Sequence, residues 1–162
     1  MTTPLHRRLL PLIALTSALA APALAADELN VSRGMTAAEA PLAIHGYDPV
    51  AYFTAGVPMA GSAKHVSVHR GAAYRFVSEA HRLRFEKDPN RYLPRYGGFC
   101  AFGVSVGKKF DGDPRVWEIV DGRLYFNLNP DIKTTWVKDI PGNVRKANRE
   151  WKRIRVVPVA KL

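Results

Sequence analysis

Only one cysteine, Cys100, occurs in the 162 residues, which excludes an intramolecular disulfide whatever compartment the chain occupies. Stability must therefore come from packing rather than cross-links. Uninterrupted apolar sequence is also short: the longest run, LLPLIALTSALAAPALA, is broken by Pro11 and Pro22 and falls below the ~20 residues a bilayer-spanning helix needs. G-x-S-x-G, a Walker loop, G-x-G-x-x-G and H-E-x-x-H are all missing, which argues against the common hydrolases, nucleotide enzymes and zinc proteases. Acidic residues are few, 14 against 24 Lys and Arg, for a formal charge of +10. Asp111 and Asp113 around Gly112 read as a turn before Pro114, because an oxygen-ligand calcium loop needs more carboxylates at defined spacing. No internal repeat or low-complexity tract is evident.

The start MTTPLHRR, followed by an apolar run that ends Ala23-Leu24-Ala25, has the pattern of a secretory signal over residues 1–25. Arg7-Arg8 lack the flanking residues of a twin-arginine signal, so the general secretion route and a periplasmic or secreted location are expected. Cleavage there would leave 137 residues carrying +8, the size of one domain with a real core. The positive excess reads as a solvated basic face, with attraction to an anionic surface or a protein partner as the sharper alternative. No nucleic-acid partner is expected of an exported chain, and a monomer is expected.

Along the chain, residues 26–41 are small and polar and read as an extended lead-in. Asp48-Pro49 suits the start of one helical turn at PVAYF, since Asp caps well and Pro is tolerated at the first helical position. Tyr47, Asp48 and Pro49 are expected to form a tight turn that sends Tyr52 and Phe53 into the core. KHVSVH and AAYRFVS, separated by Arg70-Gly71, predict a hairpin with Val66 and Val68 on one face and His65, Ser67 and His69 on the other. Those histidines are expected at the surface. Ser78 is placed to cap EAHRLRFEK, with Ala80, Leu83 and Phe85 as its apolar stripe, and Asp88-Pro89 restarts a short helix that Gly97-Gly98 ends. FCAFGVSVGKK reads as a buried helix, with a strand left open by Val104 and Val106. VWEIVDGRLYFNL predicts a second hairpin about Asp121-Gly122. The remainder predicts two helices divided at Pro141-Gly142, ending in a 155–162 tail. The fold class is α+β: a single small domain with two β-hairpins and about five short helices.

Gly46-Tyr47-Asp48-Pro49-Val50-Ala51-Tyr52-Phe53, Tyr74-Arg75-Phe76-Val77-Ser78, Arg84-Phe85-Glu86-Lys87-Asp88-Pro89 and Tyr96-Gly97-Gly98-Phe99-Cys100-Ala101, with the downstream KFDGDPRVWEIVDGRLYFNLN and DIPGN, resemble the exported, single-domain branch of the YHS domain family. The resemblance covers residues 42–154 and implies Gly46, Tyr47, Asp48, Pro49, Gly97 and Gly98 as structural motif positions. It would also imply heavy-metal binding, but the thiolate positions of the family's better-known members fall on Ala51 and Val77, which coordinate nothing, and a further one on His81. Any remaining metal case needs His45 and His81 to converge with Cys100, one thiolate and two imidazoles being a reasonable set for copper or zinc. A lone histidine on an amphipathic helix is more commonly a packed or half-exposed side chain.

Cys100 has two further readings. In the first turn of a helix after Gly-Gly, its thiolate would be stabilised by free N–H groups, giving a reactive thiol. Between Phe99, Ala101 and Phe102 it would instead be buried and inert. The residues point to a small binding or sensing protein with no enzyme activity expected. A thiol-redox protein centred on Cys100, or an interaction module using the basic segment NVRKANREWKRIRVV, are the alternatives. On that segment Arg149, Lys152 and Arg153 share one side, expected in solvent, and Trp151 and Ile154 another, expected to dock on the core rather than in a lipid layer.

Overall fold

Glycines recur along this chain at a fixed spacing: Gly46, Gly56, Gly61 and Gly71 are each followed by another glycine 51 positions on, at 97, 107, 112 and 122. The computed structural model, which describes residues 25–162, shows why. A left-handed turn at Ile44–Gly46 leads to helix α2 (Ala51–Thr54), the hairpin β1 (Ser62–His69) and β2 (Ala72–Phe76), and helices α3 (Glu79–Lys87) and α4 (Pro89–Tyr92). The same order then recurs: a left-handed turn within Arg95–Gly98, α5 (Ala101–Ser105), β3 (Asp113–Val120), β4 (Arg123–Asn127), α6 (Pro130–Val137) and α7 (Ile140–Ile154). The chain is α+β, as expected, but it is built from two copies of one unit. The expectation of no repeat is thus corrected; between residues 44–92 and 95–143, outside the glycines, only Tyr74/Tyr125 and the Lys87-Asp88/Lys138-Asp139 pair are identical at this spacing, so the signal lay in backbone requirements rather than composition.

Those requirements match closely. Both hairpins turn through two residues of positive φ, Arg70 (51°) and Gly71 (76°) in one and Asp121 (50°) and Gly122 (68°) in the other, the geometry that follows the right-handed twist of paired strands. Both are antiparallel with a break in register, between Ser62 and Val66 and between Asp113 and Trp117. Gly61 and Gly112 open the two first strands where a Cβ has no room, against the backbone of Arg75 in one unit and against the Gly98 carbonyl and the Phe126 side chain in the other. Ser78 and Asn129 cap α3 and α6, accepting from the N–H of His81 and Ile132. Fully buried Phe85 and Trp136, again 51 apart, anchor those helices in separate cores.

The first core joins Val50, Tyr52, Tyr74, Phe76 and Phe85, and the second Phe99, Val104, Trp136, Ala147 and Ile154. Strand β4 serves both: Leu124 and Phe126 enter the first, and Tyr125, pointing the other way, enters the second. Tyr52 is buried as expected and donates to the Pro114 carbonyl at 2.9 Å, while Phe53, half-buried, meets Tyr92 edge-on at 5.5 Å.

Several local expectations change. The lead-in begins with a helical turn, α1 (Ala25–Glu28), and is tied down by a bridge from Val31 to Ala43 and by the Asn30 N–H on the Gly97 carbonyl. The His65, Ser67 and His69 face of β1 turns inward: Val68 is 51% exposed, whereas His69 packs edge-on against Phe85 at 5.9 Å. Burial pulls the His69 pKa below its ordinary value. On α3 only Phe85 is buried and Leu83 lies in solvent. The final helices divide before Asp139, not at Pro141-Gly142, because Asp139 caps α7 by accepting the Gly142 N–H and Pro141 sits in the tolerant first turn. Helix α7 docks as expected, with Ile154 buried, Trp151 against Tyr96 and Phe99, and Arg149, Lys152 and Arg153 in solvent.

Lys109 fastens both ends of the described chain to this frame. The residue is 4% exposed, and its ammonium donates to the carbonyls of Asp27, Arg155 and Val157 at 2.6–2.7 Å, beneath the rings of Phe99 and Trp151. Burial lowers its pKa, with Asp27 and Glu28 pulling the other way, and three acceptors for three N–H groups leave none of them orphaned. The expected export signal lies outside the described residues, save for its last position. Gly61→Ala and Gly112→Ala are each expected to cost about 1–3 kcal/mol in urea unfolding, the usual penalty of overpacking; a loss at only one of the two positions would contradict the equivalence of the units.

Candidate functional site

The motif residues of the first unit converge on Asp48, which is fully buried. Its Oδ1 accepts the Val50 N–H at 2.8 Å, and its Oδ2 accepts the Val77 N–H at 2.9 Å and faces His81 Nδ1 at 2.7 Å. One carboxylate thus closes the turn before α2 and ties it to the end of β2 and to α3. Pro49 and Val50 form that turn, Gly46 supplies φ of 81°, and Tyr47 bridges to Ala60. The capping role expected of Asp48 is met two residues on, ahead of the helix rather than as its formal cap, which is Val50. His81 Nδ1 therefore carries the proton, and its Nε2 points at Thr54 Oγ1, 3.4 Å away. The second unit has Phe99 and Ile132 at the positions equivalent to Asp48 and His81, so the polar clamp has no counterpart there.

Cys100 is 1% exposed and caps α5, its sulfur accepting the Gly103 N–H at 3.4 Å and facing Asn127 Oδ1 at 3.8 Å. The helix-start geometry expected for a reactive thiol is present, but burial is the largest influence and raises the thiol pKa, outweighing the N–H groups of Gly103, Leu128 and Phe102. Asn127 Oδ1 also accepts the Phe102 N–H at 3.3 Å. This strand-end amide binds the turn in the second unit as the turn carboxylate Asp48 binds the strand end in the first.

His45, His81 and Cys100 do not assemble into a copper or zinc site. His81 is committed to Asp48, Cys100 to α5 and Asn127, and His45 Nε2 to Asp111 Oδ1 at 2.9 Å, an oxygen that also accepts from Asn30. Among the described residues no three His, Cys, Asp or Glu side chains come together as a possible ligand set. The donor chemistry does not fit the metal that the family resemblance implies.

The two units instead enclose a cavity of about 330 Å³ where they meet. The first contributes Ala43, Ile44, Arg70, Tyr74 and Asn90; the second contributes Arg95, Tyr96, Gly97, Arg123 and Trp151, and the α1 end and Leu93-Pro94 complete the wall. Both left-handed turns border it. Ile44, His45 and Gly46 have φ of 52°, 48° and 81°, and Tyr96, Gly97 and Gly98 have 56°, 61° and 88°. Positive φ is unfavourable for a β-branched residue such as Ile44 and for Tyr96, at roughly 1–3 kcal/mol each, and strain of this kind concentrates at functional sites. Gly97 also has no space for a Cβ against the Glu28 carbonyl. Of the expected site positions, Gly97 alone lines the cavity; Arg70 and Arg123 were not singled out as site residues, and Arg95 only as a neighbour that could help the Cys100 thiolate, because the three come from distant segments and only the spacing of the glycines hinted that two turns would face each other.

No family model, curated protein or solved structure gives a match to this chain.

Cys100 generates a test. A thiol whose pKa is raised on folding loses its proton first in the unfolded state, so above the ordinary value of about 8.5 the unfolded form binds fewer protons and stability falls as pH rises. Urea midpoints between pH 8 and 9.5 are expected to fall for the native protein and to fall less for Cys100→Ser. Labelling of the folded protein by a thiol reagent at pH 8 is expected only on the timescale of unfolding; immediate labelling would contradict the buried setting.

Proposed function

We propose that this chain is an exported protein of the YHS type that binds a small molecule between its two units, without thiol or metal chemistry. The observation that carries the reading is the junction cavity, bordered by both left-handed turns. Sites for small molecules form preferentially where structural units meet, combining apolar walls with a few polar groups, and a volume of about 330 Å³ is within the range of such pockets. Ile44, Leu93, Tyr96 and Trp151 provide apolar surface, and Asn90 and the arginines provide polar groups. The buried Cys100, with its raised pKa, favours a packing role over redox turnover. Export rests on the sequence pattern of residues 1–25.

Two measurements test this. Mass spectrometry of protein from a periplasmic fraction is expected to find an N-terminus at Ala26; an intact Met1 would remove the export half. Screening a small-molecule library by amide chemical shifts is expected to give compounds that perturb residues 43–46 and 95–98 together, and to lose them in Ile44→Trp, which fills the cavity. Hits that map only to the exposed side of α7 would favour the interaction-module reading instead.

A further inference from the structure

We infer that the ligand of the junction cavity is a small organic oxyanion, a carboxylate or phosphate carried on a flat apolar body. This rests on the binding reading above and adds to it the chemistry of the ligand. Three arginines line the cavity, Arg70, Arg95 and Arg123, and among the described residues none of them lies within ion-pair distance of a carboxylate. Arg82, Arg115, Arg153 and Arg155 do have a carboxylate within 4 Å, but with 14 acids against 24 Lys and Arg most of the described arginines go without one. The one acid in the cavity wall, Glu28, is turned toward Arg155 at 3.7 Å. Three positive groups facing one partly engaged carboxylate leave a field that selects anions, and planar guanidinium forks suit carboxylate and phosphate oxygens.

Two details indicate that the arginines are built for this position. Arg70 occupies the first left-handed position of its hairpin turn, where its counterpart in the second unit is Asp121, a residue that tolerates that conformation better. The turn itself gives no reason for an arginine, whereas the cavity does. Arg95 is held in place: its Cζ lies 5.7 Å from the Tyr96 ring centre and its Nη2 is 3.4 Å from Asn148 Oδ1, yet its buried Nε has no acceptor. Besides the arginines, Ile44, Leu93 and Trp151 give the wall an apolar part that inorganic phosphate would leave uncovered.

Calorimetric titration of the purified protein with phenyl phosphate, benzoate, the neutral isostere benzamide, and inorganic phosphate separates the parts of this inference. Phenyl phosphate and benzoate are expected to bind, and benzamide at least about tenfold more weakly than benzoate, the loss expected when a charge-assisted hydrogen-bonded pair is removed. Arg123→Ala, at an exposed side chain whose loss leaves the cores intact, is expected to weaken both anions by about tenfold, and Arg123→Lys by less. Equal binding of benzamide and benzoate, or anion binding unaffected in Arg123→Ala and Arg95→Ala, would overturn the oxyanion assignment. Equal binding of inorganic and phenyl phosphate would overturn the apolar body. Absence of binding by both organic anions also overturns it, while a neutral compound that perturbs residues 43–46 and 95–98 together would leave the broader binding reading standing.

Discussion

Strand β4 has to satisfy two cores at once, and the arrangement of the molecule depends on how it does so. Successive side chains of a strand point to opposite faces, so Leu124 and Phe126 fill the core around Phe85 while Tyr125 fills the core around Trp136. Neither unit is large enough to bury a core of ordinary size alone, since surface-to-volume scaling leaves chains of roughly 50 residues marginal. Sharing one strand makes the two small cores parts of a single cooperative body. It also fixes the distance between the two left-handed turns, and with it the width of the cavity that they border.

The buried charges have the same logic. Asp48 and Lys109 are nearly or fully out of solvent, a costly placement for any charge left without partners. Each is instead surrounded by groups whose positions it then dictates: two backbone N–H groups and His81 for the carboxylate, three carbonyls and two aromatic faces for the ammonium. Asp48 organises the inside of one unit, and Lys109 gathers the chain ends. The polar atoms of both are taken up by these partners, so Asp48, a motif residue in the sequence, proves to be architecture.

What could be read from the sequence followed the range of the interaction concerned. The hairpins at Arg70-Gly71 and Asp121-Gly122 and the Ser78 cap were legible, because each depends on residues within a few positions of one another. Strand facing was misread for His65 and His69, since Val66 and Val68 look like a core pair and only the packing of α3 against β1 turns the histidine side inward. His45, His81 and Cys100 were taken together from motif membership, although each finds a different partner far along the chain, Asp111, Asp48 and Asn127. The arginine cavity was not legible at all: its three cations sit at a hairpin tip, a left-handed turn and a strand start, positions that become neighbours only once both units are packed.

Because the two units are joined in one chain, equivalent positions need not hold equivalent residues. A symmetric pair of separate subunits would place any residue of the interface twice, once on each side of the axis. Here Arg70 answers to Asp121, Asp48 to Phe99 and Ser78 to Asn129, so charge, clamp and cap differ between the halves although the backbone repeats. Covalent fusion thus turns a self-complementary junction into one whose two sides differ, and sets a stoichiometry of one such cleft per polypeptide instead of a mirrored pair.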